Sequence, residues 1–358
     1  MSATVENTKR APAARRRAQG DTWVSKAIFS ALAGIVVIAI AVIFLFVASK
    51  AFDTFTRYHI NPIEFFFGTK YNPYACDPPD ASCQVGIQIL ILGSFLATLI
   101  AVILATPVAL AVAIFVSEIA PARGRQFMQP ILELLTGIPS IIYGILAVTL
   151  LVPQVAKLYN LIAGRYASNG FGLVAAGIVL AIMILPTITT LSIDALRSLP
   201  NGLREASLAL GATRWETIRK TLLPASSTGI STGVILGMGR AIGETLAVAF
   251  VIGGAASHFP FGFTSQWPFI KFFPTSSITV QLLFDFKEAV NPSATYSVVW
   301  TMAFVLLIIS FLFVVLSRWI ASRSVYNTTG SSRPRHRAEW LRGQASGLWA
   351  RVAKGGQK

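Results

Sequence analysis

Arg240 and Glu244 are the residues of this chain best placed to do chemistry. They lie within residues 226–253, SSTGISTGVILGMGRAIGETLAVAFVIG, an apolar, glycine-rich stretch long enough to cross a bilayer. A guanidinium stays charged at any relevant pH and offers a planar fork of donors to an oxyanion. The carboxylate four residues on has two readings. It balances Arg240 when no anion is present and accepts a hydrogen bond from a proton that an anion carries, or the two form an i, i+4 ion pair that only fixes packing. An arginine at mid-bilayer costs roughly 2.5–3.5 kcal/mol, so such a residue faces a protein interior or a water-filled path.

The element that must position them is a helix. At about 100° per residue, Gly229, Gly233, Gly237, Arg240, Glu244 and Ala247 fall on one narrow stripe. Glycines four residues apart let a neighbouring helix approach closely. The stripe therefore reads as the seam of a helix bundle with a cation built into it.

Composition sets the class. Of 358 residues, 54% are hydrophobic and only 13% charged, against about 25% charged in a soluble domain. This predicts an all-α integral membrane protein. Six stretches suffice for a crossing of about 20 residues: 27–49, 85–116, 133–153, 171–191, 228–253 and 295–317. The net charge of +15 concentrates in 1–26, in the short segments after the second and fourth spans, and after Arg318. That is the positive-inside pattern with both termini cytoplasmic, so the charge reports topology rather than a nucleic-acid partner.

Along the chain, the polar, basic residues 1–26 predict a disordered tail, and 27–49 an uncleaved membrane anchor. An outer loop over 50–84 holds the only two cysteines, Cys76 and Cys83, in an oxidising compartment, which predicts a local disulfide. They do not fill a zinc site. Residues 85–320 form the core domain, and 321–358 a basic cytoplasmic tail with Trp340 and Trp349, lying on anionic lipid or in solvent. The run from Val85 to Val116 is too long for one crossing, so either its start lies outside the membrane or Thr106-Pro107 breaks it. Pro139 and Pro186 are expected to interrupt the third and fourth spans. Glu133, Thr136, Gly137, Ser140 and Gly144 share a helical face, for small-residue packing or for lining a path. The aromatic outer segment HFPFGFTSQWPFIKFF suits the headgroup layer or an outer partner.

The loop over 192–225 reads as two short helices. The first covers Arg204 to Leu210 and is stopped by Gly211. The second is capped by Thr213 with Glu216 reaching back, presents Trp215, Ile218 and Leu222 on one side, and ends at Pro224. Helix–turn–helix with arginines resembles a DNA reader, but a membrane helix tethers it on each side, and a docking element is the better reading. No phosphate-binding loop of the GxxxxGK[ST] type is present. The three histidines pair with no nucleophile or metal cluster, so the chain does not read as an enzyme.

Within this loop, Glu205-Ala206-Ser207, Gly211 and Leu223-Pro224 match the spacing of E-A-A, three residues, G, nine residues, I-x-L-P. That signature marks the membrane subunits of type I ABC importers, which this chain resembles. Ser207 stands for the second alanine and Thr221 for the isoleucine. GMGRAIGETLAVAFVIGG, SEIAP at 117–121, LELLTGIPSIIYG and LAIMILPTITT are similar to the C-type permeases of bacterial phosphate-specific transport systems. The resemblance covers about residues 60–320. It implies a six-helix permease of the bacterial cytoplasmic membrane, paired with an A-type permease, two ATP-binding subunits and an extracytoplasmic phosphate-binding protein. The chain itself would hold no cofactor, ATP and magnesium sitting on the ATPase. Glu205, Ala206, Gly211, Leu223 and Pro224 would couple to that ATPase. Arg240, Glu244, Ser140 and Thr136 would meet inorganic phosphate on its path, with Gly229, Gly233 and Gly237 packing the helix behind them.

Overall fold

The computed structural model describes residues 11–76, 83–163, 169–254, 261–264, 267–272, 275–289 and 293–326. They fall into two compact units. One comprises the described residues of Met1–Leu92, Gly254–Phe259 and Ser276–Ile308, the other those of Gly93–Gly253, Pro260–Thr275 and Ile309–Lys358.

In the first unit, α1 (Ala11–Thr56) is one continuous helix. The expected disordered tail is therefore corrected over 11–26: the apolar run propagates helix back through the basic segment, since adding a turn to an existing helix is far easier than nucleating one. α1 packs on α13 (Ala294–Tyr326) within this unit. The Thr301 hydroxyl lies 2.6 Å from that of Thr54 and 2.9 Å from the Ala51 carbonyl, and Phe46 meets Trp300 edge-on. Between them the chain forms α2 (Pro62–Phe67), capped by the Asn61 side chain, and a small antiparallel pair, β1 (Tyr71–Asn72) with β2 (Gln84–Val85).

Cys76 and Cys83 are joined in a disulfide. The same loop is tied to α12 (Ile278–Glu288) through the buried carboxylate of Asp285. This carboxylate accepts from the hydroxyls of Tyr71 and Tyr74 and, at 2.9 Å, from the Gln281 amide. Burial first, then the Asp285 charge and hydrogen bonds, push both phenols well above their ordinary range.

The second unit is built on α7 (Leu173–Arg197), which is buried along most of its length. Around it lie α3 (Gln88–Ile114), α4 (Ala122–Gly137), α5 (Ser140–Leu146) and α6 (Val152–Ala163). α8 (Asn201–Ala209), α9 (Arg214–Glu216), α10 (Leu223–Gly243) and α11 (Leu246–Val251) follow. Three π turns, at Phe115–Ile119, Ala147–Leu151 and Thr217–Leu222, continue α3, α5 and α9. A hairpin of β3 (Phe261–Thr264) and β4 (Trp267–Phe272) occupies part of the aromatic segment read as a loop.

The expected interruption at Pro186 fails, and of the two readings of the long run from Val85 the break at Thr106-Pro107 is the one that does not hold. Pro107 and Pro186 sit inside α3 and α7 without breaking them; packed neighbours can cover freed backbone groups in such helices, and α7 is buried along most of its length. Pro139 does interrupt the chain. Ile138 before it is extended, as the steric demand of a proline favours. Glu133, Thr136 and Gly137 therefore close α4 while Ser140 and Gly144 belong to α5, and the single helical face expected to carry all five does not exist.

Among the described residues, five helices are long and apolar enough to cross a membrane: Lys26–Thr56, Gln88–Ile119, Ser140–Leu161, Leu173–Arg197 and Ala294–Leu316. The stretch expected to supply another, 228–253, is split into α10 and α11 by an extended residue, Glu244 (φ −75°, ψ 128°).

Candidate functional site

The three glycines of α10 do face a neighbouring helix, and the neighbour is α7. A Cβ at Gly237 would stand 2.9 Å from Ile188 Cγ1, one at Gly233 would stand 3.0 Å from Leu191 Cβ, and one at Gly229 would collide with Ala195. The expected stripe holds as far as the glycines. It ends at Gly243, because Glu244 has left the helix, so one helical turn does not set the Arg240–Glu244 spacing. Gly144, on α5, is a packing residue: its Cβ would stand 2.7 Å from the Phe250 ring and 3.2 Å from Ala247 Cα of α11.

Arg240 falls in the last turn of α10 and is half-buried. It lines a cavity of about 780 Å³ with Thr187, Thr228, Thr232, Gly239 and Arg318. Two guanidinium groups and three hydroxyls in a largely apolar wall suit an oxyanion. Arg318 was not singled out by sequence, where it read as the first charge of a tail. The described lining does not include Glu244, Ser140 or Thr136. Ser140 is the first residue of α5, and the Thr136 hydroxyl donates to the Leu132 carbonyl within α4 at 2.7 Å. The Tyr143 hydroxyl donates to the Leu135 carbonyl at 2.7 Å across the α4–α5 break.

The loop after α7 is held rather than free. α8 buries none of its residues, and Glu205 and Ala206 are exposed beside Leu203, Leu208 and Leu210. Gly211 turns the chain at φ +85°, a conformation that only glycine adopts without cost. Thr213 and Glu216 form the expected capping box. The hydrogen bond from the Thr213 backbone, followed by Lys220, holds the Glu216 carboxyl down at about 2. The second helix does not end at Pro224. It passes through the π turn into α10, with Pro224 the second residue of α10. Trp215 is 59% exposed whereas Ile218 and Leu222 are buried with Ala113, Leu132 and Leu196, so the three do not share a side.

Arg204 and Glu118 are the residues that sequence reasoning missed. The Arg204 guanidinium grips Glu118 with both ends of its fork, at 3.1 and 2.7 Å, and donates to the Leu196 and Leu199 carbonyls at the end of α7. The bond to Glu118 raises the Arg204 pKa. Glu118 is the acid of SEIAP, and Arg125 ties that segment by donating to the Ser117 and Ala120 carbonyls. A lone acid at the end of an apolar run was the available signal.

Residues 105–326 match the family described as "Binding-protein-dependent transport system inner membrane component". The chain belongs to this family. It is 39% identical over 316 residues to a Bacillus subtilis protein named "Probable ABC transporter permease protein YqgH", covering 88% of this chain and 96% of that one. It is 34% identical over 275 residues to a Xylella fastidiosa (strain Temecula1) "Phosphate transport system permease protein PstC", covering 73% and 79%. A protein of that name from Mesorhizobium japonicum is 35% identical over 248 residues, covering 65% and 72%. A chain of a bacterial alginate ABC transporter shares the fold, with a TM-score of 0.57 at 13% identity, covering 86% of this chain and 97% of its own.

As an ABC transporter permease, the chain is a membrane component rather than a catalyst. Its family implies a binding protein and an ATPase as partners. In the permease, one continuous run of chain leads from α8 through the π turn to Arg240.

Proposed function

We propose that this permease forms half of the path of an ATP-driven importer of inorganic phosphate in the bacterial cytoplasmic membrane. The observation that carries the reading is Arg240, a half-buried guanidinium sharing a hydroxyl-lined cavity with Arg318, on the helix that continues from the exposed loop. The relatives named phosphate permeases support phosphate as the anion. In this reading α10 and α11 together make the sixth crossing, both termini are cytoplasmic, and an A-type permease supplies the other half of the path. One of two ATP-binding subunits docks on the loop around Glu205, Ala206 and Gly211, and the two subunits hold ATP and magnesium. An extracytoplasmic binding protein delivers phosphate. Arg240 offers its donor fork to the phosphate oxygens, and Arg318 supplies a second cation in the same cavity. Ser140, Thr136 and Glu244 stand with it as path residues by resemblance alone.

A second reading, import of another oxyanion, is favoured by the YqgH relative, whose name specifies no substrate. Proteoliposomes holding the assembled complex, fuelled with ATP inside and offered labelled phosphate, sulfate or molybdate with the binding protein, separate the two. Accumulation of phosphate, undiminished by a hundredfold excess of sulfate, supports the first; accumulation of another anion in its place overturns it.

A further inference from the structure

We propose that Glu118 and Arg204 are a positioning pair that fixes the angle of α8, and that this mount is needed to turn ATP hydrolysis into movement of α10. The proposal rests on the reading of α8 as the ATPase contact. α8 is nine residues long and buries none of them, and a helix so short does not hold itself in water. Its placement therefore comes from side chains at two points.

The first point is the bidentate Arg204–Glu118 pair, which also closes two carbonyls at the end of α7. The second is a group of three hydroxyls. Ser207 of α8 lies 3.0 Å from Thr217, and Thr221 donates to Ser207 at 3.5 Å. Ser207 and Thr221 are the two positions at which the chain departs from the E-A-A pattern, and the departures face one another. Alanine and isoleucine there could make no such bond.

Both points fall on π turns. Glu118 lies in Phe115–Ile119, and Thr217 and Thr221 in Thr217–Leu222. A π turn inserts an extra residue into a helix, re-aims the side chains around it, and recurs at functional sites. Here one re-aimed acid and two re-aimed hydroxyls meet the same short helix. The first turn extends α3 and the second runs directly into α10. A push on α8 is thus delivered to the end of one long helix and to the base of the helix that carries Arg240. Glu118 is 12% and Arg204 22% exposed, so water weakens this clasp less than it weakens an open surface pair.

The test uses the whole complex with its ATPase and binding protein, with inorganic phosphate as the probe and sulfate in parallel. In Glu118→Gln and Arg204→Gln the ratio of phosphate-stimulated to basal ATP hydrolysis is expected to fall about tenfold, with the ATPase subunit still co-purifying. The double variant is expected to be no worse than either single one. Glu118→Asp, which keeps the charge, is expected to recover at least half of the lost ratio. An unchanged ratio in Glu118→Gln overturns the proposal, as does an additive double variant or loss of the ATPase subunit in proportion to the loss of stimulation. Should Glu118→Gln not assemble, Ser207→Ala with Thr221→Ile carries the test at the second point, where a ratio equal to that of the natural protein overturns it. Glu205→Lys, on the exposed face, separates this from the underlying reading. If it leaves the ATPase contact and coupling intact, α8 is not the contact; if it disrupts them while Glu118→Gln does nothing, the contact stands and the mount alone fails.

Discussion

Gly229 and Ala195 face one another across the α7–α10 seam so closely that a methyl group on Gly229 has no room. The seam stays close but is less tight one and two turns on, at Gly233 and Gly237, where the neighbours are Leu191 and Ile188.

Gly229→Ala is therefore expected to destabilise the permease by about 1–3 kcal/mol, the usual cost of overpacking a close-packed contact. Gly243, where nothing lies within 4 Å of a built Cβ, gives the control: Gly243→Ala should leave stability unchanged. Thermal unfolding of the two variants in detergent measures the difference. Equal melting temperatures would sink the close-packed seam.

Arg240→Gln is expected to lower phosphate uptake by about 10- to 100-fold, the loss of a hydrogen bond to a charged partner at about 1.5–3 kcal/mol. Arg318→Gln, at an exposed position of the same cavity, should cost only about fivefold, because exposed charges interact by up to about 1 kcal/mol. Uptake per assembled complex checks both. Normal uptake in Arg240→Gln would remove the anion role.

The Glu216 carboxyl is lowered from 4.5 to about 2 in the folded chain. A depressed acid contributes stability above its unfolded pKa and loses it as pH falls through the folded one. The contribution is thus complete at neutral pH, begins to fade below pH 4.5 and is gone under about pH 2. Melting of the natural chain against Glu216→Gln should show a constant gap from pH 8 to 6 that narrows below pH 4.5. A gap that widens in acid contradicts the capping geometry.

Replacing Cys76 and Cys83 by serine removes a crosslink across a seven-residue separation. Chain-entropy arithmetic for so short a loop gives about 2.5 kcal/mol of lost stability. The loop remains tied through Asp285, so transport at 25 °C is expected to persist within a factor of two. Uptake before and after treatment with a reductant provides the measurement; abolished transport would assign the loop a direct role.

Much of this was legible from residue types alone. Glycines four apart identified the packed face of α10, because absence of a side chain is itself a demand for a near neighbour. Thr213 and Glu216 announced a helix start, because the box is closed within four residues. Contacts that span the chain were not legible. Nothing in SEIAP says that its acid meets an arginine 86 positions later, and Arg318 looks like the edge of a basic tail until α13 brings it beside Thr228. Proline was overrated as a helix breaker at Pro186 and Pro224 for one reason. A single sequence shows that an N–H is missing and not whether a hydroxyl or a neighbouring helix will cover the carbonyl it leaves.

The break after Gly243 has one more consequence. It turns Arg240 from a mid-helix residue into the cation of a helix terminus, where unpaired carbonyls amount to about half a negative charge. That partial charge belongs to the backbone and cannot be protonated away. It is also too weak to hold a guanidinium as tightly as a full carboxylate would. On the proposed reading, that partial charge steadies the cation while the path is empty and gives way to an arriving oxyanion.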